Sequence, residues 1–336
     1  MKKPYNTFIN EAKNAAKISA GENTAIATAG EHLTTAHLLK AAAVHHDFTN
    51  KTHADYLHKK AEHHLNEAKR LLHGMHPGVR QDTDNRAAHV AHAFLLHHAA
   101  QGRHASDIHD VHHTPKQGDI ERATGIKTTQ TEDTADLVTH FKKNGKDEHH
   151  GLSYKNNKGN TLGTPGLAGI DKHFEKHGMH MQSHLNKFND KLKAHFPNAV
   201  NKEGRKAVEG HPVAKKLAND FKEGVAEHFH KTFTSADHKT QKEHLKTIFK
   251  MKSKLPTVIV KGHGSNGSYG AHLSDPKDDA RYKAVEHAKS YSTERRGSTV
   301  HYFAHDKDGN KHHLGYSEHR FTHSGFTSFG APTHSK

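Results

Sequence analysis

The stretch ADLVTHFKKNGKDEHHGLSYK, residues 135–155, decides the fold. ADLVTHF (135–141) has strand character, and HHGLSYK (149–155) reads as a returning strand. Between them, Lys143-Asn144-Gly145-Lys146 carries the Asn-Gly pair that two-residue hairpin turns favour, because both central positions need positive φ. A turn centred there pairs residues whose numbers sum to about 289–291, which sets Asp136 opposite Ser153 to Lys155. Ser153 and Lys155 are two apart and share a face. An acid therefore faces a lysine beside the glycine-rich segment NNKGNTLGTPGLAG (156–169). Such a pair suits metal-assisted phosphodiester hydrolysis, with the carboxylate on Mg²⁺ and the lysine orienting the nucleophile or countering transition-state charge. A plain cross-strand ion pair, worth little, is the alternative.

Outward from the hairpin, residues 22 to about 113 read as helices. Thr24 to Ala43 places Ile26, Ala29, Leu33 and Ala36 at helical spacing, and Leu57, Ala61, Leu65, Ala68 and Leu72 form a second stripe. Gly74, Pro77 and Gly78 break that pattern, and a third helix from about Asn85 carries Ala87, Ala91, Phe94 and Leu95. Downstream, helices are expected at 171–196, 204–233 and 236–251. From Pro256 the chain turns β-like: TVIVKG (257–262) is a strand, and 298–306 with 311–321 make a hairpin across Lys307-Asp308-Gly309-Asn310. GHGSNGSYG (262–270) reads as a loop. The expected fold class is mixed α/β, or α+β, in three segments: an N-terminal stretch 1–20, a helical and hairpin core 21–256, and a β-rich part 257–336.

The composition narrows the function. Lys and Arg number 50 against 36 Asp and Glu, a net charge of +14, which favours a polyanionic partner, nucleic acid first. Leu, Ile, Val and Phe total 57 of 336 residues, so the core is thin. The absence of cysteine excludes disulfides, thiolate zinc sites and cysteine nucleophiles. No apolar run approaches a membrane span, and MKKPYNTFINEAKNAAK lacks the apolar region of a secretory signal, so a soluble intracellular protein is expected. The 41 histidines are scattered along the chain and would add positive charge on mild acidification. Pairs such as His109 with His112 or His113, His89 with His92, and His177, His180 and His184 fall at helical spacing and could bind transition metals, although 41 histidines supply such pairs by chance. Neither HExxH, G-x-S-x-G nor a Walker A ending occurs. Arg295, Arg296, His319 and Arg320 are candidate contacts to a DNA backbone.

The segment PKQGDIERATGIKTTQTEDTADLVTHF, with the hairpin and the glycine-rich run to Ile170, resembles the core of restriction-endonuclease-like proteins of the PD-(D/E)XK superfamily. More narrowly it resembles versions encoded by large tailed bacteriophages, whose strand opens with Ala-Asp and whose returning strand ends in G-x-S-x-K. The opening MKKPYNTFINEA is similar to the start of many proteins of such phages. The resemblance covers about residues 114–170 and implies a small central mixed sheet flanked by helices. It further implies that Asp136 binds Mg²⁺ or Mn²⁺ and that Lys155 is catalytic. The superfamily's second acid belongs two residues before the lysine, where this chain has Ser153, a weaker and neutral ligand. An additional glutamate from a preceding helix would then be needed. Glu31, in the small and apolar TAGEHLTTAHLL, is the first choice, with an ordinary solvated acid as its alternative; Glu121 is the second. Gln130 would stand at the mouth of the site. The implied partner is DNA and the implied place the host cytoplasm, with a homodimer compatible. The competing expectation is a non-catalytic, histidine-rich virion or DNA-binding protein among phage structural proteins, and a weaker third is a metal-buffering protein.

Overall fold

The computed structural model describes residues 20–335, other than 117, 129–132, 134, 157–160, 164–169, 172–173, 179, 250, 266, 277, 323 and 327. The chain builds two compact units by threading back and forth. The first takes Met1–Lys127, Ala135–Gly159 and Leu255–Leu273; the second takes Thr128–Thr134, Asn160–Lys254 and Ser274–Lys336. These units cut across the expected segments, because strand pairing outranks chain proximity. The strand that opens the expected β-rich part is bonded into the first unit's sheet, beside the hairpin of the expected core.

In the first unit, helices α1 (Ala20–His46), α2 (Lys51–Leu71) and α3 (Pro77–Ala100) precede strand β1 (Ile108–His113). Their expected stripes are the buried ones: Ile26, Ala29, Leu33 and Ala36 on α1, Leu57, Ala61 and Ala68 on α2, Ala87, Ala91 and Phe94 on α3. Helix α3 starts earlier than Asn85 because Pro77 fits its first turn, and the His76 ring accepts the Gly78 N–H. The short α4 (Asp119–Thr124) follows, then β2 (Leu137–Lys143) and β3 (Lys146–Asn156). The turn between the last two has Asn144 at φ 51° and Gly145 at φ 75°, the left-handed pair that Asn-Gly supplies. Leu137 pairs with Leu152, and the Asp136 N–H donates to the Leu152 carbonyl, so Asp136 stands opposite Ser153 as the turn arithmetic expects.

The sheet is five-stranded and mixed. Strands β1, β2 and β3 run antiparallel in order, β5 (Thr257–Ser265) lies parallel to β3, and β6 (Ser268–Ser274) closes the far side. GHGSNGSYG is therefore not a loop: it holds the end of β5 and the start of β6. Ile108, Val111, Leu137, Phe141, Leu152, Tyr154, Val258 and Val260 share a core with the three long helices. Ile120 of α4 packs with Ala135, Val138 and Leu255 in a smaller cluster.

The second unit has its own sheet, in the order β4 (Thr161–Gly163), β12 (Thr333–Ser335), β9 (Lys311–Glu318), β8 (Thr299–His305), β7 (Ser290–Arg296). A two-stranded pair, β10 (Arg320–Phe321) with β11 (Phe329–Gly330), stands apart from it. Helices α5 (Met181–His195), α6 (Lys202–Val208), α7 (Pro212–Ser235), α8 (His238–Ile248) and α9 (Ala280–His287) accompany it. The helix expected from residue 171 is interrupted: Ile170, Asp171 and Phe174 are helical, a 3₁₀ turn follows at Glu175–His177, and α5 begins at Met181, where the Asp171 carboxylate accepts the Met181 and Gln182 amides. The stretch expected as one helix from 204 divides where Pro212 opens α7. Phe174, Phe229, Phe233, His244, Tyr302 and His319 meet in an aromatic core. Among the described residues, no helix is long and apolar enough to cross a membrane.

Candidate active site

The β2–β3 hairpin brings Asp136 and Lys155 together, and α1 supplies a further acid, Glu31, whose charge is felt at Asp136. Asp136 ends the segment leading into β2, held by its backbone bond to Leu152. Its Oδ2 accepts the Tyr154 N–H at 2.7 Å and the Ser153 hydroxyl at 3.2 Å, and the Lys155 Nζ stands 3.8 Å away. Alternation along β3 puts Ser153 and Lys155 on one face of the strand, with Leu152 and Tyr154 on the other. Burial pushes the Asp136 carboxyl up to about 6; Lys155 pulls it back and the Glu31 carboxylate pushes it further up. Glu31 is thus an electrostatic neighbour of Asp136, although it comes from α1.

Glu31 is no ordinary solvated acid. Only 16% of its side chain is exposed, and its Oε2 lies 2.8 Å from His113 Nε2 at the end of β1. Sequence reasoning missed His113 in this role, because IHDVHH was read for helical histidine pairs and forms a strand instead. The His113 ring lies 4.2 Å from that of His32, whose Nδ1 is 2.8 Å from His64 Nδ1. His32 and His64 are held well below the ordinary histidine value, at about 4 and about 3, by burial first and by neighbouring imidazoles second. Glu31 reaches the strands because Gly30 precedes it. A Cβ on Gly30 would meet the Tyr154 Oη at 2.4 Å, so only glycine lets α1 approach β3 this closely.

The other expected residues fall elsewhere. Glu121 is exposed on α4, and Gln130 lies outside the described residues. Arg295 bonds the Gly297 carbonyl, Arg296 pairs with Glu294 at 3.5 Å, and Arg320 pairs with Glu318 at 3.3 Å, all in the second unit. His319 is fully buried, with Nδ1 near the Ser298 carbonyl, so it cannot meet a DNA backbone. His177, His180 and His184 do not share a helix, since a short 3₁₀ turn ends at His177 and α5 begins after His180. Many histidines serve as packing rather than as surface charge: His64, His98, His244 and His319 are all buried. Others form an accessible row, with ring centroids 4.8 Å apart for His46–His53, 4.6 Å for His53–His109, 5.1 Å for His109–His140 and 4.6 Å for His140–His149.

Among the described residues, no group of three or more His, Asp or Glu side chains is arranged to hold a metal ion. Asp136 and Glu31 offer carboxylate oxygens, the donor type that Mg²⁺ or Mn²⁺ takes, and each is engaged here by a basic partner, Lys155 and His113. No protein-family model matches the chain, and no curated protein matches it.

Proposed function

We propose that the chain is a DNA-binding, Mg²⁺-dependent endonuclease-like protein of the PD-(D/E)XK kind, hydrolysing phosphodiester bonds. The observation that carries this is the Asp136–Lys155 pair, 3.8 Å apart at the hairpin, with Asp136 held by Ser153 and the Tyr154 amide. The mixed sheet, with Asp136 entering β2 and Lys155 near the end of β3, supports the same reading.

Asp136 and Glu31 would hold the ion, and an ion bound there would supply charge neutralisation at the phosphate and an acidified water. Lys155 places a positive charge beside Asp136, where it can orient a nucleophile and counter charge on a phosphate oxygen. Ser153 donates its proton to Asp136 and the Tyr154 amide fixes the same oxygen, so the acid keeps one orientation. His113 does the same for Glu31. The net charge of +14 supplies the attraction for DNA.

Cleavage of supercoiled plasmid and of single-stranded DNA, with Mg²⁺ or Mn²⁺ and with chelator, tests this. Asp136→Ala and Lys155→Ala should each lower metal-dependent cleavage by at least a hundredfold while leaving DNA retention intact, on the order of an electrostatic group's catalytic worth. Equal cutting by the parent and both variants would refute the assignment. Ser153, where a second acid is expected, favours a second reading: a non-catalytic virion protein that keeps the fold as a DNA-binding or assembly scaffold. DNA retention with no cutting under either metal would select it.

A further inference from the structure

The second unit's sheet has two unlike faces. Along β8, exposure alternates: Val300, Tyr302 and Ala304 are buried in the core, while His301, Phe303 and His305 point the other way and are half-buried. On that outward face the register sets Glu294 of β7, His301 of β8, Tyr316 of β9 and His334 of β12 side by side across four strands. Phe303 and His313 pair one step along. The rings are contiguous: Tyr316 stacks on His334 with centroids 4.8 Å apart, His301 lies 5.4 Å from Tyr316, and Phe303 stacks on His313 at 4.9 Å. His301 Nδ1 is 3.1 Å from His313 Nε2, which joins the two groups.

We propose that this face is a stacking platform for the unpaired bases of a single-stranded nucleic acid. Every base offers a π-face, and a sheet that presents aromatic rings outward can stack successive bases whatever their sequence. The row is built of rings rather than aliphatic chains, and ring faces are what stacked bases require. Cations accompany the rings, and one covers the Phe303 face, which a base must displace to stack there. Lys311 Nζ sits 3.9 Å above the Phe303 ring, and Lys311 and Arg296 both pair with Glu294. These pairs are exposed, with 42% of the Lys311 and 70% of the Arg296 side chain open, so a phosphate can compete for the cations. In a chain of net charge +14, that polarity favours a polyanion over an acidic-rimmed or neutral partner.

The inference is independent of the carboxylate site, and its test removes that site. The full-length Asp136→Ala chain, in chelator and at neutral pH, is titrated into fluorescein-labelled oligothymidylate, oligouridylate and a duplex of the same length, and binding is read by anisotropy. Single strands should bind more tightly than the duplex. Phe303→Ala and Tyr316→Ala should each weaken single-strand binding about fivefold to a hundredfold, the range seen for a lost base–aromatic stack. Tyr316→Phe keeps the ring and should bind like its parent, which separates stacking from any loss of fold. With no tryptophan in the chain, quenching of tyrosine emission by unlabelled oligothymidylate gives a second readout that Tyr316→Phe should diminish. A preference for DNA over RNA, or the reverse, would name the source of the strand. Single-strand binding unchanged in both alanine variants would overturn the proposal, as would equal weakening by Tyr316→Phe or a duplex bound as tightly as the single strands. None of these outcomes bears on plasmid cleavage by the parent chain, so the two assignments fail separately.

Discussion

Asp136 sits in a field it would not choose alone. With no cation present, the Asp136 proton is retained to about pH 6, against an ordinary value of 3.8. Burial is the larger cause and cannot be removed without rebuilding the site, but the Glu31 contribution can. Glu31→Gln removes the neighbouring charge while keeping the volume, so the Asp136 midpoint should fall below the parent's. Carboxyl carbon resonances of aspartate-labelled protein, followed through a pH titration in chelator, would report this without any reliance on catalysis. A midpoint that does not move would mean that Glu31 faces elsewhere in solution. At the same scale Ser153 acts on Asp136 through a hydroxyl proton, which a carboxylate at that position would not supply at neutral pH.

Helix α1 earns its place through two adjacent residues: Gly30 admits Tyr154, and Glu31 then reaches the strands. Gly30→Ala must push the helix from β3 or displace a ring that is almost wholly buried, at a cost of about 1–3 kcal/mol. The expected outcome is a lower melting temperature together with lost cleavage, since the displacement carries Glu31 with it; a stable variant with full activity would contradict the packing. Elements with a local cause were legible in advance. Asn144-Gly145 fixed the hairpin register, and the alanine and leucine stripes marked which faces of α1, α2 and α3 are buried. Elements with a distant cause were not. The pairing of Thr257 with Gly151 is invisible in the hydropathy of either strand. The start of α5 depends on Asp171, ten residues before it. Gly262, Gly264 and Gly270 read as a loop although they sit in strands, and His113 could be placed only once β1 was known to be extended.

Over the whole molecule the histidines set an acid limit. His32 and His319 are held at about 4 and His64 at about 3, chiefly by burial, against 6.5 in the unfolded chain. Their folded values are depressed, so between those values and 6.5 the unfolded state binds protons that the folded state refuses, and stability falls as pH falls. Asp136 works the other way, its raised value favouring the folded state below about 6, but it is one group against several. The melting temperature should drop on the order of 5–10 °C between pH 6.5 and 5, measured by circular dichroism in both units' transitions; a flat profile would mean that these rings are hydrated. The threading of the two units has a different consequence, one of timing during synthesis. When Asn156 leaves the ribosome, β3 has its partner β2 on one side and a bare row of amides and carbonyls on the other. Its neighbour β5 starts at Thr257, so about a hundred residues, most of them destined for the other unit, must emerge before that row is covered. The nascent chain therefore carries an open strand edge through much of its translation, at the strand that bears Lys155, and any product that stops short of Thr257 keeps that edge for good.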